Sequence, residues 1–324
     1  MLSVADIVTD DATGVSIQPA IDHALSTCGL PIARRAEDTM RVLLAERLAS
    51  SEPGAWRSSR LTGDGFPFEI AFCTTDDRLR FIVEPGSHDL EPHQRLDVAS
   101  ELISLLSDDQ IPADVLNELR AMQSEAPLQY GAWIGCRVSE ERTAFKLYAE
   151  VPPGRTLPID CAPLELSDRR IVPRMLAYSP AKGEFESYVR VPSLEPCHLP
   201  AVLALAGMEA KTAWLIEFLE DAYGYAMRGR LPGPSVGVSY VRKPEPDAIT
   251  LHFYARALWG SDARIRRNFA RLAQNLGWDA SAYLELTEPI ATGESWQTFH
   301  GLVGITLSQS VEMSLTIGLR PVGP

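Results

Sequence analysis

The stretch 61–86, LTGDGFPFEIAFCTTDDRLRFIVEPG, sets apolar and polar residues in alternation on both sides of a short turn. Phe68, Ile70 and Phe72 alternate with Glu69, Ala71 and Cys73. Beyond the turn at Thr74 to Asp77, Leu79, Phe81 and Val83 alternate with Arg80, Ile82 and Glu84. Patterning of period two is the strand signal, and two such runs around a short turn make a hairpin. If helices cover the bulky apolar rows, Glu69 and Arg80 leave from the opposite face, either into bulk water or into an enclosed lumen.

The same unit recurs along the chain. Further hairpins are expected at 131–138 with 144–151, 171–178 with 184–191, 235–241 with 249–258, and 299–307 with 312–319. Between them lie segments with apolar residues at three- and four-residue spacing, the helical period: 15–50, 92–106, 112–122, 199–228 (broken near Gly207), 262–276 and 282–288. Asp114 is the expected cap of the helix after Pro112. Residues 155–170, with Pro158 and Pro163, carry little helical signal. Five hairpins separated mostly by helices rule against a doubly wound parallel sheet. No G-x-G-x-x-G or Walker A pattern stands at a strand-to-helix turn, so a dinucleotide or P-loop site has no support. Ten strands with helices outside can close into a barrel wide enough to hold ligands.

A net charge of -13 in 324 residues argues against nucleic acid as a partner, because phosphate-backbone binding needs a basic surface. An anionic ligand would need a local cationic pocket. Cys28, Cys73, Cys136, Cys161 and Cys197 are odd in number, widely spaced and lack a C-x-x-C pair, which suggests neither a disulfide framework nor a zinc site. Asp6, Asp10 and Asp11 stand where a signal peptide would carry positive charge, and no stretch reaches the length of a membrane span. The expectation is a soluble protein of the cytoplasm.

The strand pair Pro67-Phe68-Glu69 and Arg80-Phe81-Ile82-Val83-Glu84-Pro85 resembles the opening hairpin of the dimethylallyltryptophan synthase family. Those enzymes are aromatic prenyltransferases with the ABBA fold, an α+β barrel of ten antiparallel strands arranged as five hairpins around a central lumen and surrounded by helices. The resemblance runs from about residue 60 to the end. It implies one domain over 1–324, with 1–60 as an N-terminal helical segment. It also implies transfer of a dimethylallyl group from dimethylallyl diphosphate to an indole or tryptophan acceptor, in secondary metabolism and without a metal. In that family the glutamate binds the acceptor's indole N–H and the arginine holds the donor's diphosphate, roles that fall here on Glu69 and Arg80.

Lys146 and Tyr148 share a strand face and resemble the family's second-hairpin motif, in which the lysine contacts diphosphate and the tyrosine shields the allylic cation. Arg137 on the partner strand is a further basic residue whose facing the alternation leaves open. His252, Tyr254 and Arg256 alternate with Leu251 and Phe253. Tyr254 resembles a shielding tyrosine, and His252 and Arg256 are candidates for diphosphate contact. His252 could instead accept the arenium proton, since imidazole titrates near neutrality. The third hairpin departs from the family pattern of Arg-x-Lys-x-Tyr: it reads Glu184, Glu186, Tyr188 and Arg190. Tyr188 matches as a shield, and Glu186 stands where a lysine is expected. Either Arg190 supplies the missing charge, or the donor site is less basic. The last strand carries Ser314 and Thr316 in place of tyrosines, which implies a larger or more polar acceptor pocket. Trp133 and Trp259 are read as packing groups, and the arginines from Arg264 to Arg271 as a solvated helix face. Alternatives to the indole reading are another aromatic acceptor, such as a phenol, a carbazole or a tryptophan-containing peptide, or a barrel that binds a hydrophobic ligand without turnover.

Overall fold

The computed structural model describes residues 17–321 except 50–57, 77, 125, 156–163, 167, 244–245, 292–298 and 312. Asp6, Asp10, Asp11, Asp77, Cys161, most of the linker 50–60 and much of the Pro-rich connection 155–170 fall outside the described residues.

The ten strands follow the alternation in the sequence: β1 Phe68–Cys73, β2 Leu79–Val83, β3 Ala132–Val138, β4 Thr143–Glu150, β5 Val172–Ser179, β6 Glu184–Pro192, β7 Ser235–Val241, β8 Ala248–Tyr254, β9 His300–Ser308 and β10 Ser314–Leu319. Each pairs antiparallel with its sequence neighbours, and β1 pairs β10, so the sheet closes on itself. Closure removes the exposed edges that an open sheet of this length would carry. With helices packed outside, this is the ABBA arrangement.

The helices are α1 Ile17–Ser26, α2 Leu30–Leu43, α3 Ala45–Ala49, α4 Pro92–Leu106, α5 Ala113–Gln123, α6 Leu199–Ala204, α7 Thr212–Tyr223, α8 Ala255–Trp259, α9 Asp262–Asn275 and α10 Ser281–Leu286. Prolines at the first helical positions of α2 and α4 begin them without loss of a hydrogen bond. Helix α5 starts after Pro112 and has no side-chain cap; Asp114 lies inside its first turn, where a carboxylate favours the positive end of the helix dipole. The expected cap is therefore an N-terminal charge. Helix α7 ends on Gly224 at φ 79°, a left-handed conformation that glycine takes without steric cost.

The apolar rows of the strands form the core between barrel and helices. Phe68, Ile70, Phe81, Val83, Ile134, Leu147, Leu251, Phe253, Val303, Ile305, Ile317 and Leu319 are all buried. The opposite rows face the lumen. One correction concerns the fourth hairpin: β8 stops at Tyr254 and the chain turns into α8, so Arg256 is an exposed helix residue and leaves the alternation expected of it.

Buried charges pin the helices to the barrel. Glu84 accepts from Arg47 at 2.8 Å, from the Arg60 backbone N–H at 3.0 Å and from Trp133 Nε1 at 3.3 Å, and Arg95 lies 3.2 Å away. The glutamate that closes the Arg-x-x-x-Glu-Pro pattern is thus architectural. Asp262 accepts from the backbone of Phe299 and His300 and lies 2.6 Å from His300 Nδ1, while His300 Nε2 meets the Tyr283 hydroxyl at 2.9 Å. That chain ties the start of α9 to the start of β9. Trp259 is buried and donates to the Ala222 carbonyl, a packing role as expected. Arg264 and Arg267 are exposed on α9, whereas Arg266 reaches Thr287, the Leu284 carbonyl and Glu288.

Candidate functional site

Strand register brings the polar rows together on the inner wall. Glu69 opposes Ile82, Gly135 opposes Lys146, Tyr148 opposes Ala177, Tyr188 opposes Met175, and His252 opposes Gly237 and Gly304. Glu69, Lys146, Tyr148, Tyr188 and His252 therefore line one lumen, drawn from the four strands β1, β4, β6 and β8.

The Glu69 carboxylate lies against bare backbone. A Cβ on Gly301 would come within 2.3 Å of Glu69 Oε2, and one on Gly318 within 2.2 Å of Oε1. These glycines of β9 and β10 make the space that the carboxylate occupies. Removal from water raises its pKa from 4.5 to about 7. A carboxylate in such a place is suited to accept a hydrogen bond from a ligand.

Lys146 forms an ion pair with Glu186, in a contact where the two side chains are only 16% and 18% exposed. Burial alone would raise the pKa of Glu186, but Lys146 and hydrogen bonds from Ser239 and Tyr188 bring it down to about 2. Burial likewise opposes the charge on Lys146, and Glu186 more than offsets it, so the lysine pKa is raised. Both groups stay charged, and their charges cancel.

An aromatic wall runs beside this pair. The rings of Tyr148 and Tyr188 meet edge to face at 5.6 Å, and Tyr188 lies 5.8 Å from the His252 ring. His252 Nε2 is 3.0 Å from Ser239 Oγ. Because Glu186 can only accept, the Ser239 hydroxyl donates to it and accepts from His252 Nε2–H. That assigns the tautomer and leaves Nδ1 as the free lone pair, beside Gly304. Burial lowers the His252 pKa to about 4, so the ring is neutral at pH 7.

Other expected residues have partners outside this group, Arg80 among them although it shares the inner row with Ile82. Arg80 is held by Asp76 at 2.5 Å. Arg190 donates to the Tyr254 hydroxyl at 2.8 Å. Arg190 lies four positions beyond Glu186 on β6, roughly 13 Å of strand, so the structure does not bring Arg190 to Lys146. Tyr254 is 39% exposed at the end of β8 and lies away from the Tyr148–Tyr188–His252 ring contacts. Trp133 faces the lumen and stacks on Tyr130 with ring centroids 4.1 Å apart, so it packs at the wall. The partnership of Lys146 with Glu186, the role of Ser239 and the glycines beneath Glu69 were not read from the sequence. The only signal for the last was the frequency of glycine in β9 and β10. Among the described residues, no group of three or more His, Cys, Asp or Glu could hold a metal ion, and no helix is long and apolar enough to cross a membrane.

No family model matches the sequence, and no curated protein matches it closely. Solved structures share its fold. A 5-dimethylallyl tryptophan synthase from Streptomyces coelicolor, solved with DMASPP and Trp, superimposes with a TM-score of 0.73 at 15% identity, covering 96% of this chain and 95% of that one. A 6-dimethylallyl tryptophan synthase from Micromonospora olivasterospora, also solved with DMASPP and Trp, gives 0.70 at 18% identity, covering 94% and 96%. AnaPT from Neosartorya fischeri gives 0.65 at 14% identity, covering 94% and 92%.

Proposed function

We propose that this protein is an aromatic prenyltransferase that moves a dimethylallyl group from its diphosphate to an indole-type acceptor, with tryptophan or a related compound as substrate. The observation that carries the reading is Glu69, a desolvated carboxylate set against two glycines and facing a lumen lined by Tyr148, Tyr188, Lys146 and His252. The named activities of the structures that share the fold point the same way.

In this mechanism Arg80 and Lys146 meet the charge of the leaving diphosphate as the C1–O bond breaks. Preorganised charge of this kind is usually the largest catalytic contribution. The faces of Tyr148 and Tyr188 stabilise the allylic cation by about 2 kcal/mol or more when water is excluded. Glu69 accepts the acceptor's N–H, which enriches the ring in electron density. The ring carbon then bonds to C1, and the arenium proton passes to His252 Nδ1. Gly301 and Gly304 are three residues apart on β9, roughly 10 Å, and Glu69 and His252 flank them. That gap accommodates a bicyclic aromatic between acceptor carboxylate and base.

The reading is tested by incubating the protein with dimethylallyl diphosphate and tryptophan or indole in EDTA. Prenylated product with stoichiometric pyrophosphate is expected. Quenching of tryptophan fluorescence by ligand, with no product across a panel of indoles and phenols, would overturn it in favour of a binding barrel.

A further inference from the structure

The charge around Lys146 leaves the donor's diphosphate short of a partner. Glu186 neutralises the lysine, and Arg190 is engaged with Tyr254 farther along β6. Of the three cations among the candidates on β2, β4 and β6, Arg80 is the remaining one, and it already shares its charge with Asp76. A diphosphate needs more positive charge than that.

We propose that Arg137 joins Arg80 and Lys146 to hold the donor's diphosphate on the wall formed by β2, β3 and β4. This rests on the prenyl-transfer reading above. Arg137 is the Cα partner of Arg80 across β2 and β3, and it lies on the same face of β3 as Trp133 and Gly135, the face that meets Lys146 through Gly135. Two guanidinium groups directly opposite each other on antiparallel strands repel. Such a pair is tolerated where an anion lies between them, and arginine forks match phosphate oxygens geometrically. Among the described residues none forms an ion pair with Arg137, and its side chain is exposed, ready to fold over an incoming anion. Its charge is also close enough to Lys146 to lower the lysine pKa. Gly135, between Arg137 and Trp133, keeps the approach open: a Cβ there would come within 2.7 Å of the Tyr148 ring. On this account β3 adds positive charge to the wall where Glu186 offsets Lys146.

The test is calorimetric titration of the whole protein with inorganic pyrophosphate and with dimethylallyl diphosphate, at low and moderate salt. Arg137→Gln is expected to weaken both ligands at least about tenfold, the loss of one charged hydrogen-bonding group, and to flatten the salt dependence. Arg137→Lys should recover part of the affinity. The thermal midpoint and the affinity for tryptophan should stay as in the parent, which separates anion binding from a structural role. Arg271→Gln, which removes a surface ion pair with Asp221 on α9, should match the parent. Unchanged pyrophosphate affinity in Arg137→Gln, with a parent that binds and turns over donor, would overturn the role of Arg137 and leave the prenyltransferase reading standing. A parent that binds neither pyrophosphate nor dimethylallyl diphosphate would overturn both.

Discussion

Glu69→Gln separates what the carboxylate does for catalysis from what it costs the fold. The folded-state pKa of Glu69 is raised from 4.5 to about 7 by loss of hydration. At about 1.4 kcal/mol per pKa unit, holding the charge in the lumen costs about 3 kcal/mol above pH 7, less what lumen water recovers at this partly exposed side chain. A group whose folded pKa lies above its unfolded value binds its proton more tightly when folded. Its stabilisation is therefore complete below pH 4.5 and is lost as pH rises through 7. A neutral amide escapes this loss. Thermal unfolding of the variant at pH 8 should then show a midpoint about 5 °C above the parent, and at pH 5 a shift of no more than about 1 °C. In the same variant, turnover with an N–H acceptor should fall at least about tenfold. Equal midpoint shifts at pH 5 and pH 8, or a destabilised variant at both, would refute the claim that the carboxylate is held at an energetic cost for use by substrate.

Other consequences follow from the same geometry. Turnover in the parent should rise with pH through about 7 as Glu69 ionises, with His252 neutral throughout that window; a pH–rate profile flat between 6 and 8 would contradict this. Gly318→Ala should push the Glu69 carboxylate from its place, since a Cβ would lie 2.2 Å from Oε1. The expected result is a raised KM for the acceptor with pyrophosphate affinity unchanged. Lys146→Ala leaves Glu186 unpaired in the lumen and should destabilise the protein by about 3 kcal/mol or more, in line with breaking an enclosed ion pair. The double variant with Glu186→Ala should recover much of that loss in denaturant unfolding, while donor binding stays weak.

The hairpins were legible because an inside-outside alternation is written directly into each strand, and the helices because their apolar spacing is equally local. Strand ends matched within a residue or two except at β8. There Tyr254-Ala255-Arg256 continues the alternation on paper, yet the backbone turns into α8, because the packing of Ala255, Leu258 and Trp259 against the core outweighs a short-range pattern.

What the sequence determined by itself was the repeating unit and the identity of its polar rows, because period-two patterning dictates which side chains share a face. What only the tertiary structure decided was how those rows meet across the lumen. Pairing of β1 with β10 puts Glu69 on Gly318, and diagonal contact between β4 and β6 cancels Lys146 against Glu186. Both depend on closure and register between residues far apart in the chain, and local patterning carries no information about either.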